Sequence, residues 1–278
     1  MPNESQPVIH REMRPGFIGA ARQALKYFGL TKAAALFLLL RAEEKKFIAE
    51  AATPERRRLR ADLLARFKTI YRSILCLHFP FHFAQVAKFL LDLDVAGPIV
   101  ECGSFKGGSS AQLSLIARAT GRKLYVCDSF QGLPAPSKSE AKVKIFNDSR
   151  THTYQEGDYA ATLDEIKGNI SRYGAIEVCE FVPGFFNRSL PRLNVKPAAI
   201  VLDVDLISSA RDCLKSLWPR LKKGGYVFTH EAESETYMQG LMDKAWWKTH
   251  LKECPPLVFG AGSSLSPVAE GLALFRKG

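Results

Sequence analysis

Residues 100–110, which read VECGSFKGGSS, contain the feature that decides the fold. A short apolar run ends there in Gly103, and the pair Gly107–Gly108 follows. The dinucleotide-binding fingerprint is G-x-G-x-x-G, and its second glycine, which lets the backbone contact a pyrophosphate, has no counterpart here. The phosphate-binding sequence G-K-[S/T] does not occur in the chain either. The stretch therefore disfavours nicotinamide and triphosphate ligands, and it predicts a strand, a tight turn and a helix.

Beyond this stretch, residues 98–278 alternate between short apolar runs and amphipathic segments. The apolar runs predict strands at PIVECG, KLYVCDSF, IEVCEFVPG, AAIVLDVDL, YVFTHE and LALFRK. The segments between them predict helices at SSAQLSLIARATG, TLDEIKGNISRYG and SSARDCLKSLWPRLKKGG. Strands that alternate with helices through short connections are typical of an α/β fold with a mostly parallel sheet covered on both faces.

Residues 16–95 have a different pattern, because their periodicity is helical and no strand pattern appears before residue 98. Thr53-Pro54-Glu55 predicts a helix start, and FHFAQVAKFLLDLDV predicts a further helix before Gly97. Between them lies an apolar stripe opposite a row of arginines, and it consists of Leu59, Leu63, Leu64, Phe67, Ile70 and Tyr71. We therefore predict a helical cap over residues 1–95 and a sheet domain over residues 96–278.

Composition and charge narrow the class of protein. The chain has 278 residues and a net charge of +11, and residues 1–95 hold 16 Lys/Arg against 9 Asp/Glu. A basic front end suits an anionic partner or a solvated helix face, and we favour the helix face because no nucleic-acid motif is present. The longest apolar run, AAALFLLL, is shorter than the roughly 20 residues that cross a bilayer. The sequence thus predicts a soluble, cytoplasmic protein that binds no nucleic acid.

Polar residues gather where the predicted strands end, which is where ligands bind in such sheets. A ligand with an amino acid group and a nucleoside but no phosphate fits this pattern, and S-adenosylmethionine (SAM) is such a ligand. Glu101 would complement its ammonium directly or through water, and Asp128 would accept hydrogen bonds from the ribose hydroxyls. The alternative for Asp128 is to cap the turn that follows it. The predicted cofactor-binding residues are Glu101, Gly103, Ser104, Gly107, Asp128 and Ser129.

Four blocks of sequence resemble a known family. They are VECGSFKGGSS, LYVCDSFQGLP, VCEFVPGFFNRSLP and VLDVDLISSARDCLKSLWPRLKKGGYVF, and together they span about residues 97–232. These blocks resemble the macrocin O-methyltransferase (TylF-like) family of class I SAM-dependent methyltransferases. The resemblance implies a Rossmann-like α/β fold, with a seven-stranded, mostly parallel sheet and a reversed last hairpin. It also implies methylation of a hydroxyl group, which belongs to a sugar in the founding members.

The chain departs from the family pattern at two strand ends. Where the family has L-D-G-D-L-Y-E-S-T, this sequence has LDVDLISSA, which keeps Asp203 and Asp205. The family's Asp-Asp pair, which helps to hold Mg²⁺, is His230-Glu231 here. Asp203, His230 and Glu231 are therefore candidate ligands for a divalent metal, Mg²⁺ or Mn²⁺, although an imidazole suits Mn, Fe or Zn better than Mg. The other two readings are His230 as a metal-free general base and His230 as a supporting residue of a metal-free pocket.

The resulting prediction is an O-methyltransferase that acts on a hydroxyl group of a small molecule, with Asp203 and His230 as its catalytic residues. Two alternatives stay open at this point. One is a SAM-binding protein without catalysis, and the other is a membrane-surface enzyme that methylates a lipid-linked substrate.

We interpret His78 and His82, which lie among phenylalanines, as packing residues, and we expect residues 230–237 (HEAESETY) to line the acceptor pocket. The sequence leaves open whether the protein forms a homo-oligomer.

Overall fold

The computed structural model describes residues 32–144, 151–261, 265 and 271–278. The start of the predicted cap, residues 1–31, lies outside these residues. The helices are α1 Lys32–Ala49, α2 Pro54–Ser73, α3 Pro80–Leu91, α4 Gly108–Ala119, α5 Leu163–Tyr173, α6 Phe186–Ser189, α7 Ile207–Leu217, α8 Glu235–Leu241 and α9 Lys244–His250. Short 3₁₀ turns lie at Ile176–Val178, Leu190–Arg192 and Trp218–Arg220. The strands are β1 Ile99–Cys102, β2 Leu124–Asp128, β3 Lys142–Lys144, β4 Thr151–Thr153, β5 Cys179–Pro183, β6 Ala199–Leu202, β7 Tyr226–Thr229, β8 Val258–Phe259 and β9 Ala273–Arg276.

Seven of these strands form one sheet in the order β5-β2-β1-β6-β7-β9-β8. The first five are parallel to one another, while β9 runs antiparallel to both β7 and β8. The expected seven-stranded sheet with a reversed last hairpin is therefore confirmed. The chain leaves β1 toward β2 on one side and returns to β6 on the other, so the strand order reverses beside β1. This switch point is where open α/β sheets bind their ligands.

Alternate residues of the central strands serve two separate cores. Ile99 packs in one core with Phe67 and Leu113, whereas its neighbour Val100 packs in the other with Leu214 and Trp247. Successive side chains of a strand point to opposite faces, and both faces of β1 are buried. The helices α2, α3, α4 and α5 cover the first face, and α7, α8 and α9 cover the second. The predicted α/β architecture is confirmed.

The N-terminal helices pack directly on the sheet. Thr53 caps α2 as its sequence predicts, because its Oγ1 accepts a hydrogen bond from Arg56 N at 3.3 Å. The predicted stripe faces the first core, except that Tyr71 is 36% exposed near the end of α2, where its ring lies against Phe79. Arg60 is buried and donates to the carbonyl of Phe47 at 2.8 Å, which ties α1 to α2. The helical cap is thus present, while its division from the sheet domain at residue 95 stays a prediction.

Three features appear that the sequence patterns did not indicate. They are the two-stranded hairpin β3–β4, the two-residue strand β8, and the helices α8 and α9. The short strands have too few residues to produce a periodic signal. In the part of the chain that the structure describes, no helix is both long enough and apolar enough to span a membrane.

Candidate active site

A cavity of about 680 Å³ opens at the carboxyl ends of β1, β2, β6 and β7. Most of the predicted site residues line it, and so does the segment before α3, which contributes Leu75, Cys76, Leu77 and His78. The predicted residues on its wall are Gly103, Ser104, Asp128, Ser129, Asp203, His230 and Glu231. Glu101 and Gly107 do not line it, since they lie behind the loop that forms its floor.

The glycines of the first loop are required by the packing of the protein itself. Gly103 has a φ of +90°, and a Cβ placed on it would lie 1.8 Å from the carbonyl oxygen of Asp203. The segments after β1 and β6 lie against each other there, since Asp203 N donates to Cys102 O, while Gly103 N donates to Cys127 O of β2. Gly107 has a φ of +79° and lies against Ile166, away from the cavity. A close approach of backbone to ligand, which the sequence suggested, is therefore not needed to explain these glycines.

Asp128 is held by hydrogen bonds on both of its carboxylate oxygens. Its Oδ2 accepts from Ser104 N at 2.7 Å and from Ser104 Oγ at 3.0 Å, while its Oδ1 accepts from Phe130 N at 2.8 Å. Through the hydrogen bond from Phe130 N, Asp128 caps the turn that follows it, which is the alternative role considered above. Ser129 Oγ also lies 3.5 Å from Oδ1, but its hydroxyl donates over a shorter distance to Gly132 O, so Oδ1 can still accept a hydrogen bond from a hydroxyl in the cavity. Ser129 shapes the same turn, because its Oγ donates to Gly132 O at 2.8 Å.

Glu101 is completely buried behind this loop. Its Oε2 accepts a hydrogen bond from Ser110 Oγ at 2.6 Å, and its Oε1 has no hydrogen-bond partner among the described residues. Burial raises the pKa of this carboxyl to about 8, although the hydroxyls of Ser109 and Ser110 oppose the shift. Because Glu101 does not reach the cavity wall, contact with a ligand's ammonium through a bridging water fits its position better than direct contact.

The predicted metal ligands Asp203, His230 and Glu231 do not come together. Glu231 instead braces the loop after β6, since its Oε1 accepts from Val204 N at 3.0 Å and from Asp205 N at 2.9 Å. Its Oε2 accepts from Thr229 Oγ1 at 3.1 Å. Within the described ranges, these three side chains form no group of ligand atoms that lie close together. The oxygen-rich octahedral set that Mg²⁺ requires is thus not offered by these residues.

Two histidines of the cap join His230 instead. His78 precedes α3 and His82 lies in its first turn, yet their ring centroids lie 3.4 Å and 4.7 Å from that of His230. His78 Nε2 pairs with Asp203 Oδ2 at 2.7 Å. Burial lowers the pKa of His78, but the Asp203 carboxylate outweighs burial, so the pKa is raised. Burial, together with the neighbouring His78 and His82, lowers the pKa of His230 well below its usual value. We interpreted His78 and His82 as packing residues, and no sequence pattern indicated this cluster.

The far wall of the cavity consists of aromatic and acidic residues on unusual backbone. Phe105, Tyr159 and Asp205 line it with φ values of 44°, 59° and 58°. Non-glycine residues in this region are strained and concentrate at functional sites. The Phe105 and Tyr159 rings meet edge to face at a centroid distance of 5.6 Å, and Tyr154 lies beside them. Burial raises the pKa of Asp205, and the carboxylates of Glu231 and Asp203 raise it further.

The strand order, the reversed hairpin and a cavity at the carboxyl ends of the parallel strands define a class I SAM-dependent methyltransferase fold. The family model for macrocin-O-methyltransferase (TylF) matches residues 34–244, so the chain belongs to this family. The match includes α2 and α3, and it confirms the resemblance noted from the four sequence blocks.

Two curated relatives from Streptomyces match part of the chain. The 8-demethyl-8-(2,3-dimethoxy-alpha-L-rhamnosyl)-tetracenomycin-C 4'-O-methyltransferase of Streptomyces olivaceus is 36% identical over 138 residues, which is 48% of this chain and 52% of that protein. The demethyldecarbamoylnovobiocin O-methyltransferase of Streptomyces niveus is 29% identical over 153 residues, 53% of this chain and 57% of that protein. The chain spans about half the length of the curated relatives it matches.

Two solved structures share the fold. The O-methyltransferase NovP superposes with a TM-score of 0.54 at 21% identity, over 72% of this chain and 80% of NovP. The calicheamicin methyltransferase CalS11 superposes with a TM-score of 0.51 at 18% identity, over 85% of this chain and 91% of CalS11. At these identities the likeness supports the fold alone.

Proposed function

We propose that this protein transfers a methyl group from SAM to a hydroxyl oxygen of a small molecule, and that the acceptor is a glycoside or a similar hydroxylated natural product. The observation that carries the proposal is the Ser104–Asp128 pair on the cavity wall of a chain in the macrocin-O-methyltransferase family. Both curated relatives are named O-methyltransferases of such compounds. The cavity of about 680 Å³ falls in the range of roughly 300–1,000 Å³ that is usual for small-molecule sites.

In this proposal the cofactor lies over the ends of β1 and β2. Asp128 accepts hydrogen bonds from the ribose hydroxyls through the free site on Oδ1. Gly103 and Ser104 line the path of the methionine portion, and Glu101 balances its ammonium through water from behind the loop. Asp128 is already oriented by three hydrogen bonds, so little conformational freedom is lost when the ribose binds.

The chemistry that this placement requires is modest. The sulfonium of SAM is already a strong methyl donor, so most of the rate comes from alignment of the acceptor oxygen with the methyl carbon. The hydroxyl proton must leave as the oxygen attacks. Asp203 and His230 remain our predicted catalytic residues because both line the cavity at the ends of neighbouring strands. Mg²⁺ has no part in this proposal, since the residues that would hold it do not fit it.

The acceptor side of the cavity suits a sugar that carries an apolar group. The aromatic rings of Phe105, Tyr154 and Tyr159 and the carboxylate of Asp205 offer the mixture of flat apolar faces and hydrogen-bond acceptors that a sugar ring uses. At the mouth, Leu75 and Leu77 line the cavity although they are 60% and 58% exposed. Two exposed leucines beside a polar cavity provide a surface for the apolar part of a glycoside.

The exposed leucines also favour one other candidate function, methylation of a lipid-linked substrate at a membrane surface. Phe79 is exposed next to them, and Phe37 and Leu38 are exposed on α1. Sedimentation with anionic vesicles separates the two functions. An enzyme for free glycosides stays in the supernatant, whereas a membrane-surface enzyme sediments and is released by salt.

The proposed function is tested by calorimetry with S-adenosylhomocysteine (SAH), followed by assay of methyl transfer to a panel of hydroxylated glycosides. We expect one SAH site per chain and methylation of at least one glycoside. A folded protein that gives no heat with SAM or SAH would contradict the proposal. Binding without turnover on any acceptor would favour the non-catalytic alternative that the sequence left open.

A further inference from the structure

We propose that His78, His82 and His230 form a binding site for a divalent transition-metal ion of the Zn²⁺ type, at the junction of the helical cap and β7. Each imidazole offers one nitrogen, and these three nitrogens lie within 4.8 Å of one another. His78 and His82 belong to the cap, whereas His230 follows β7. Zn–N bonds are about 2.0–2.1 Å long. The three nitrogens therefore need to move only slightly closer together for all of them to bind one ion.

Two ring nitrogens of these histidines are buried without a partner. His78 Nδ1 and His230 Nε2 have no hydrogen bond in the described part of the chain. A buried polar atom without a partner is costly, and native structures rarely keep one without a reason. A bound cation would satisfy both atoms at once.

Asp203 prepares His78 for this role. Its Oδ2 lies 2.7 Å from His78 Nε2, and an ionised carboxylate only accepts hydrogen bonds, so Nε2 carries the proton. The lone pair of His78 is then on Nδ1, the buried atom without a partner. A carboxylate that orients a histidine through its other nitrogen is the usual support of a metal-binding imidazole.

The charge around the cluster favours a cation. Asp203, Glu231 and Glu233 all act on His78 electrostatically, and all three line the adjoining cavity.

The ligand set indicates which ion fits. Imidazole nitrogens suit Zn, Cu, Fe and Ni, whereas Mg²⁺ and Ca²⁺ prefer oxygen. Three protein ligands leave a fourth position open for water or a substrate oxygen, as in catalytic zinc sites. His78 and His230 both line the cavity, so this position faces the acceptor side. The site differs in all but His230 from the set Asp203, His230 and Glu231 that the family resemblance suggested.

The inference is tested on the full-length protein without SAM, so that its failure is distinguishable from failure of methyl transfer. The protein is treated with EDTA, dialysed and titrated with Co²⁺, whose visible absorption reports nitrogen coordination. Zn²⁺ then displaces the Co²⁺ in calorimetry. We expect one ion per chain and no displacement by Mg²⁺.

Single variants identify the ligands. His78→Gln, His82→Gln and His230→Gln should each weaken Zn²⁺ binding by about 100-fold or more, and Asp203→Asn should weaken it by ~10–100-fold, as for other residues that orient a ligand. The matched control is His250→Gln, at the end of α9 beside Trp246, which should leave the affinity unchanged.

Three outcomes would overturn the proposal. The first is a wild-type protein that shows no Co²⁺ absorption, a result that does not depend on whether any variant folds. The second is unchanged Zn²⁺ affinity in the histidine variants that remain folded by circular dichroism. The third is equal competition by Mg²⁺, which would indicate an oxygen-ligand site instead.

Discussion

The two halves of the cavity are built in different ways. We call Gly103, Ser104, Asp128 and Ser129, together with Glu101 buried behind them, the cofactor half, and its hydrogen bonds lie within β1, β2 and the segments that directly follow them. The acceptor half consists of His78, Tyr154, Tyr159, Asp203, Asp205 and His230. Its contacts join elements far apart in the chain, such as the pair of His78 with Asp203.

This difference explains where the chain follows its family and where it departs. In the cofactor half, each polar residue also makes a hydrogen bond within the protein, so a substitution would affect the fold as well as binding. In the acceptor half, the residues lie on loops, a hairpin and the cap, whose positions are set by packing elsewhere. His230, one of the residues at which the sequence departs from the expected family pattern, belongs to this second half.

The largest expected effect tests the claim that the cofactor half is structural. Gly103→Ala places a Cβ 1.8 Å from the Asp203 carbonyl oxygen, on backbone with a φ of +90°. We expect a loss of at least about 4 kcal/mol in the free energy of unfolding, measured with urea, because neither backbone has room to move. Gly121→Ala is the control, since Gly121 has a φ of +64° and nothing within 4 Å of the added Cβ. It should cost only about 1–2 kcal/mol of backbone strain. If both variants lost the same free energy of unfolding, the close contact with the Asp203 carbonyl would not be the reason for glycine at residue 103.

The next prediction concerns the acceptor half. His230→Ala should lower turnover by about 100-fold or more while SAH affinity changes by less than about twofold, since His230 follows β7 and Asp128 ends β2, with β1 and β6 between them. Steady-state kinetics and calorimetry on the same preparation measure both quantities. Near wild-type turnover would show that alignment alone carries the reaction. A large loss of SAH affinity would instead break the division of the cavity into two halves.

A smaller effect is expected for the predicted ribose ligand. Asp128→Ala should weaken SAH binding by about 10–100-fold, because a hydrogen bond to a charged group contributes roughly 1.5–3 kcal/mol. Asp158→Ala is the matched control, as Asp158 lines the same cavity but its carboxylate accepts a hydrogen bond from Gln155 N. Its SAH affinity should stay within about twofold of wild type. Thermal melts of both variants are needed, because Asp128 also holds Ser104 and Phe130. Equal SAH affinities in the two variants would remove Asp128 from the cofactor site.

The smallest effect tests the buried glutamate of the cofactor half. The pKa of Glu101 is 4.5 in the unfolded chain, and burial raises it to about 8 in the folded protein. Between these values the folded state binds more protons, so the contribution of Glu101 to stability falls as pH rises. From pH 6 to pH 7 this contribution should fall by up to about 1.4 kcal/mol.

The measurement is urea unfolding of the ligand-free protein at pH 5, 6, 7 and 8. Glu101→Gln should have a shallower decline than wild type over this range, because glutamine has no proton to release. Glu165→Gln, on the surface of α5, should keep the wild-type slope. Parallel curves for wild type and Glu101→Gln would show that Glu101 is ionised in the folded protein.

Some of the site could be predicted from the sequence, and the reason is local. Asp128 ends an apolar strand, and Gly103 ends the strand paired with it, so their meeting follows from the parallel sheet alone. The sequence does not show why the loop after β1 needs glycine. A loop that approaches a ligand and a loop that packs closely against another segment both require positive φ. Only the position of the Asp203 carbonyl separates these two causes.

The sequence by itself determined the α/β class, the order of the major strands and helices, the buried stripe of α2 and the family. These depend on patterns that repeat along a few neighbouring residues, such as apolar runs, helical spacing and turn residues. Only the tertiary structure decided that Glu231 braces a loop, that Tyr154 and Tyr159 wall the cavity, and that His78 and His82 meet His230. Those contacts join residues far apart in the chain, and their geometry depends on how the cap and the hairpin pack on the sheet.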